Sequence, residues 1–137
     1  MKTVFADTSY FTALANPQDE WHQAARHWGG VLRCRLVVTE YVLLELGNAL
    51  VRTNHRPLFL QWVERVRTDG SISYIAASED WLGRGLALFA RRADKEWSLI
   101  DCISFEVMKQ RKLREALTAD HHFVQAGFKA LLRQPVP

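Results

Sequence analysis

Val4-Phe5-Ala6-Asp7-Thr8-Ser9 reads as a short apolar strand that meets an acid and passes straight into helix-opening residues. Tyr10-Phe11-Thr12-Ala13-Leu14-Ala15 continues as a short helix, which Asn16-Pro17 stops. A strand that hands over to a helix is the unit of an alternating α/β chain. The rest of the sequence repeats that pattern.

A helix is predicted from Asp19 to Leu32, with Trp21, Ala24, Ala25 and Trp28 at helical spacing and Gly29-Gly30 near its end. Arg35-Leu36-Val37-Val38 is the second strand. Thr39 caps a helix from Glu40 to Arg52, whose apolar face is Val42, Leu43, Leu46, Ala49 and Leu50. Pro57 suits the first turn of a helix that reaches Asp69. Ile72-Ser73-Tyr74-Ile75 alternates as a third strand, and Ser78 caps a helix over Glu79 to Ala93. Ser98-Leu99-Ile100-Asp101 resembles a capping box, with Asp in the usual Glu place, and opens a helix through Lys112. Ala116-Leu117-Thr118-Ala119 is a fourth strand ending at Asp120, and Phe128 to Leu132 a last, edge strand. Such alternation implies a parallel sheet with helices on both faces.

The 137 residues, 48% hydrophobic and 24% charged, fit a single soluble domain with a real core, spanning 1–137. No apolar run approaches the roughly 20 residues a membrane span needs, and Asp7 interrupts the N-terminus too early for a signal peptide. A cytoplasmic protein without membrane contact is expected. Cys34 and Cys102 form no disulfide framework or metal motif and read as buried thiols. Net charge is +3, and 13 of the 18 basic residues are arginine, whose forks suit phosphate oxygens. An arginine-rich surface of this kind favours a polyanionic partner such as RNA, with a merely solvated surface as the alternative.

Four acids stand at element boundaries or on apolar helices: Asp7, Glu45, Asp101 and Asp120. They lie 38, 56 and 19 residues apart, so only the sheet can unite them. A doubly wound sheet gathers the carboxyl ends of its strands at one crevice. Four carboxylates there repel one another, and a hard divalent cation is the simplest group to hold them. Taken singly, Asp7 also reads as a helix cap, Asp101 as a partner of the helix dipole and Asp120 as a turn residue. Glu45 is harder to explain that way. Leu43, Leu44 and Leu46 crowd it, and its alternative is a Glu at the edge of the apolar face that reaches water, whereas Glu40 on the same helix looks solvated. Phosphoryl chemistry is the first reaction such a metal would serve.

Other chemistries lack their residues. His121-His122 has the wrong spacing for zinc and reads as a helix cap or exposed pair; His22 and His27 do not share a helical face. There is no Gly-x-Ser-x-Gly, no dinucleotide fingerprint and no P-loop. Trp97 precedes the Asp101 helix and could stack a base, although packing is the simpler role.

Four stretches together resemble the motifs of PIN domains, in the family's order and across nearly the whole chain. They are Phe5-Ala6-Asp7-Thr8-Ser9; Thr39-Glu40-Tyr41-Val42-Leu43-Leu44-Glu45-Leu46-Gly47-Asn48-Ala49-Leu50; Asp94-Lys95-Glu96-Trp97-Ser98-Leu99-Ile100-Asp101-Cys102-Ile103-Ser104-Phe105; and Ala116-Leu117-Thr118-Ala119-Asp120-His121-His122-Phe123, followed by Ala126-Gly127-Phe128. The resemblance implies a three-layer α/β/α fold with a central, mainly parallel sheet. It implies an endoribonuclease in which Asp7, Glu45, Asp101 and Asp120 hold Mg²⁺ or Mn²⁺, with polar assistance from Thr8 and Ser98. Many members are VapC-type toxins, so a cognate antitoxin and a homodimer are expected alongside the RNA substrate. Ile100 departs from the family, which often carries a hydroxyl there, and Asp94 is a peripheral acid. Rim contacts to RNA phosphates are assigned to Arg52, Arg91 and Arg92. The rival readings are an RNA-processing nuclease without an antitoxin and a non-catalytic α/β binding module.

Overall fold

The computed structural model describes residues 2–52 and 54–137. Its elements run β1 (Lys2–Ala6), α1 (Thr8–Ala15), α2 (His22–Val31), β2 (Cys34–Thr39), α3 (Glu40–Ala49), α4 (Arg56–Thr68), β3 (Ile72–Ile75), α5 (Glu79–Arg91), α6 (Leu99–Gln110), β4 (Glu115–Leu117), α7 (His121–Gln125) and β5 (Lys129–Ala130), followed by a 3₁₀ turn, Leu131–Arg133. The strands form one all-parallel sheet in the order β3-β2-β1-β4-β5, flanked by helices.

β1 is the central strand. Val4, Phe5 and Ala6 are fully buried, as expected for a parallel strand covered on both faces. The chain steps outward from β1 to β2 and β3, then returns to lay β4 and β5 on the other side. Right-handed crossovers therefore put α1–α4 on one face and α5 and α6 on the other. The direction of winding reverses between β1 and β4, and the carboxyl ends of those two strands flank the switch-point crevice. Ala6 pairs with Leu117, and the Asp7 amide donates to the Leu117 carbonyl at 3.1 Å, which fixes Asp7 at the crevice edge.

An aromatic chain lies beneath that edge. Phe5 contacts Phe123 of α7, Phe123 meets Phe105 of α6 edge-on at 4.9 Å, and Phe105 meets Trp97 edge-on at 5.0 Å. Burial of each ring contributes roughly 1.5–3 kcal/mol, and together they lock α6 and α7 onto the central strand. Helices α5 and α6 approach closely because Gly85 has no side chain; a Cβ there would lie 2.3 Å from Ile103 Cγ1.

Thr39 caps α3 through the Val42 amide and Ser78 caps α5 through the Trp81 amide, as read from sequence. Other boundaries moved. Helix α2 starts at His22, because Asp19 first forms a turn by accepting the Trp21 amide at 2.8 Å. Helix α3 ends at Ala49 rather than Arg52, just past the weak helix formers Gly47 and Asn48. β4 stops at Leu117 because the next amides turn to side chains: Ala119 donates to Ser9 Oγ and Asp120 to Thr118 Oγ1. Asp120 consequently caps a short helix, α7, that the sequence did not predict. That helix ends at Gln125; Gly127, just past its C-cap, has a φ of +95° that suits glycine, and the edge strand that follows has two residues rather than five.

Candidate metal centre

Asp7, Glu45, Asp101 and Asp120 line one cleft at the carboxyl edge of the sheet, although they come from the end of β1, the middle of α3, the first turn of α6 and the start of α7. Thr8, Ser9, Thr12, Glu96, Ser98 and His122 complete its walls. No lysine or arginine is among these residues.

Asp7 occupies the N-cap position of α1, yet its side chain caps nothing. Its Oδ2 instead accepts from Thr118 Oγ1 at 2.8 Å and from Ser9 Oγ at 3.1 Å. Asp7 is only 5% exposed. Burial pushes its carboxyl up to about 7, and the charges of Asp101 and Glu45 add to the rise against the opposing Thr118 hydrogen bond.

Asp101 has two jobs. Its Oδ2 accepts the Ser98 amide at 3.2 Å while Ser98 Oγ accepts the Asp101 amide at 2.9 Å, which is the predicted capping box. The same Oδ2 lies 3.0 Å from His122 Nδ1. Burial raises the Asp101 carboxyl, and the nearby Asp120 charge raises it further, against His122 and the Ser98 amide. Asp120 Oδ1 accepts the His122 amide at 2.9 Å and lies 3.4 Å from His122 Nδ1. Its Oδ2 has no protein partner among the described residues. Glu45, half-buried, also has no hydrogen-bond or ion-pair partner among them.

Two residues that sequence reasoning set aside or did not weigh belong to this cleft. Glu96 is a fifth carboxylate, and His122 is half-buried against two of the acids rather than half of an exposed pair; only His121 is exposed. Asp120, His121 and His122 each offer a donor atom within 4.8 Å of the others. Glu40, expected to be solvated, is half-buried and accepts the Ala77 amide at 3.0 Å and the Tyr74 hydroxyl at 3.3 Å, away from the cleft. Asp94 is peripheral as expected, paired with Arg92. Trp97 is a packing residue, 6% exposed.

The donor set fits a hard cation. It consists of carboxylates and hydroxyls with one imidazole, and among the described residues no lysine or arginine lines it. Thr8 Oγ1 is buried at the cleft with no hydrogen-bond partner among the described residues, and buried hydroxyls rarely stay unpaired unless an ion or water meets them.

Fold and cleft together define a parallel α/β protein that gathers acids at the switch point of its sheet. The PIN domain family profile matches residues 4–129, and the chain belongs to that family. It is similar to the 23S rRNA-specific endonuclease VapC20 of Mycobacterium tuberculosis, 28% identical over 126 residues that cover 91% of this chain and 95% of the relative. The crystal structure of M. tuberculosis VapC20, described as a Sarcin-Ricin loop cleaving toxin, superposes with a TM-score of 0.83 at 25% identity, covering 91% of this chain and 95% of that one. FitAcB from Neisseria gonorrhoeae shares the fold, with a TM-score of 0.65 at 17% identity over 93% of this chain and 94% of that one.

Proposed function

We propose that this chain is an endoribonuclease that hydrolyses RNA phosphodiesters with a divalent cation, Mg²⁺ or alternatively Mn²⁺, held by Asp7, Glu45, Asp101 and Asp120. The observation that carries this reading is the convergence of those four acids on one cleft that, among the described residues, no lysine or arginine lines and where the buried Thr8 hydroxyl has no partner. Likeness to a 23S rRNA-specific endonuclease over nine-tenths of the chain supports RNA as the substrate class and ribosomal RNA as the first to try.

A bound divalent cation supplies an acidified water and screens the negative charge that builds on the phosphate oxygens. The protein's own groups do the rest. Thr118 and Ser9 aim the Asp7 carboxylate into the cleft. His122, through its backbone amide, holds Asp120 by Oδ1, which leaves Oδ2 to accept the proton of the attacking water. Water oxygen bonds to phosphorus, the bond to the 3′-oxygen breaks, and that oxygen takes a proton. The products are a 5′-phosphate and a 3′-hydroxyl, and the ribose 2′-hydroxyl plays no nucleophilic part. Thr8 would offer its otherwise unpaired hydroxyl to such a cation, and Ser98 assists by fixing Asp101.

We further read residues 1–137 as one cytoplasmic nuclease domain that acts as a homodimer and as the toxin of a type II pair with a cognate antitoxin. No helix among the described residues is long and apolar enough to cross a membrane. Incubation of the purified protein with ribosomal RNA, with Mg²⁺ or with EDTA, tests the enzymatic reading. Discrete fragments in Mg²⁺ alone support it, and intact RNA in both arms refutes it. Co-purification with the product of a short upstream reading frame tests the toxin pairing.

A further inference from the structure

The cleft repels the polymer it is to cut. Five of the chain's 15 carboxylates line it, which leaves ten against 18 lysines and arginines elsewhere. Cations outside the cleft must therefore hold the RNA. The arginines expected at the rim do not line the cleft, and Arg92 is engaged with Asp94 through Nε at 2.9 Å and Nη2 at 3.0 Å.

A second concavity, of ≈ 360 Å³, opens beyond Trp97. Trp97 follows Glu96 and precedes Ser98, both of which line the cleft, and its Nε1 donates to Gln125 Oε1 at 3.0 Å, one turn along α7 from His122. One indole and one amide thus separate the two hollows. Arg91 and Lys109 line the second hollow with half-buried Phe128 and one carboxylate, Glu106, which is paired with neither cation. A third hollow, of ≈ 640 Å³, shares Phe128 and carries Lys112, Arg114 and Lys129. Lys2 also lies there but is paired with Glu115. None of those five cations has a carboxylate partner among the described residues. Helix α6 spans the distance: Asp101 is in the cleft, and Lys109 is eight residues on, about 12 Å away along the axis.

We propose that the line from Arg91 and Lys109 past Phe128 to Lys112, Arg114 and Lys129 is a track for single-stranded RNA that enters or leaves the cleft. Phosphates follow the cations, and a base stacks at Phe128, the aromatic surface between the hollows. This rests on the RNA-cleaving reading for its ligand, and the test separates the two.

The probe is a fluorescent RNA hairpin with single-stranded flanks, titrated in EDTA so that binding is read without cleavage. Lys109→Glu/Lys129→Glu is compared with Arg26→Glu/Arg67→Glu, an equal charge change at exposed positions of α2 and α4. The first pair should bind about tenfold more weakly, with a slope of log affinity against log salt shallower by about 1.4, the value for two lost single-strand phosphate contacts. The second pair should bind like the native chain. Equal behaviour of the two pairs overturns the track, whether the cations then prove solvated or serve an acidic protein, and leaves the nuclease reading intact. Binding that depends on Lys109 and Lys129 in a protein that cuts no RNA in Mg²⁺ upholds the track and refutes the nuclease.

Discussion

Thr118 Oγ1 donates to Asp7 Oδ2 at 2.8 Å while it accepts the Asp120 amide at 3.0 Å. One hydroxyl thereby ties the end of β1 to the chain leaving β4 across the switch point. Thr118→Val keeps the shape and removes the tie. It leaves a buried carboxylate with one donor fewer and a half-buried amide unpaired, at a cost of about 1–3 kcal/mol. Denaturant unfolding should show that loss, and RNA cleavage should fall more than stability at the assay temperature accounts for. Thr118→Ser should restore both. A valine variant as stable and active as the native chain would remove Thr118 from the site.

The acid cluster should make the metal-free protein more stable in mild acid than at neutrality. Asp7 titrates near 7 in the fold against 3.8 when exposed, so the native state holds a proton that the unfolded state gives up. Stability is fully present below 3.8 and falls as pH rises towards 7, by about 4 kcal/mol for this group. Asp101, also raised, adds with the same sign. Unfolding in EDTA across that range measures the slope, and Asp7→Asn should flatten most of it while leaving the protein at least as stable at neutral pH. A slope unchanged in the variant would mean that Asp7 is not the group responsible.

Mg²⁺ should reverse that penalty. A ligand that binds only the native state at a hundredfold excess over its Kd stabilises by about 2.7 kcal/mol. Melting of EDTA-treated protein should rise by several degrees on titration with Mg²⁺, and Asp7→Asn or Glu45→Gln should blunt the rise. No shift at millimolar Mg²⁺ would speak against a metal site.

The two adjacent histidines should behave differently. His122→Ala removes the imidazole between Asp101 and Asp120 and should lower cleavage at least tenfold with the fold intact by circular dichroism. His121→Ala, at an exposed position, should stay near native rates. Equal rates in the two variants would show that the imidazole of His122 contributes nothing to the site.

Much of this was legible in the chain because the signals are local. β1 and β2 carry the short apolar runs Val4-Phe5-Ala6 and Leu36-Val37-Val38, each followed by a polar residue, and the caps at Thr39, Ser78 and Ser98 announce their helices. Glu45 was legible for the opposite reason: a carboxylate among leucines has no local use. The sheet then brought all four acids to one cleft. What stayed hidden depends on contacts between distant residues. Thr118 reads as one more strand residue, and only its 111-residue reach to Asp7 gives it a role. Helix α7 has five residues, too few for a periodic signal, so His122 could not be placed on its inward face. Glu96 lies early in the third motif, with nothing in the sequence to mark which way it faces. Asp101 shows that a cap and a cleft acid need not be alternatives, since its Oδ2 serves both.

The most direct measurement is 5′-end mapping of ribosomal RNA exposed to native protein and to Asp7→Asn, each with Mg²⁺ and with EDTA. A metal-dependent hydrolase built on these acids gives discrete new 5′-phosphate ends in one of the four samples, native protein with Mg²⁺. Equal cleavage by Asp7→Asn, cleavage that persists in EDTA, or ends bearing 5′-hydroxyls would contradict it.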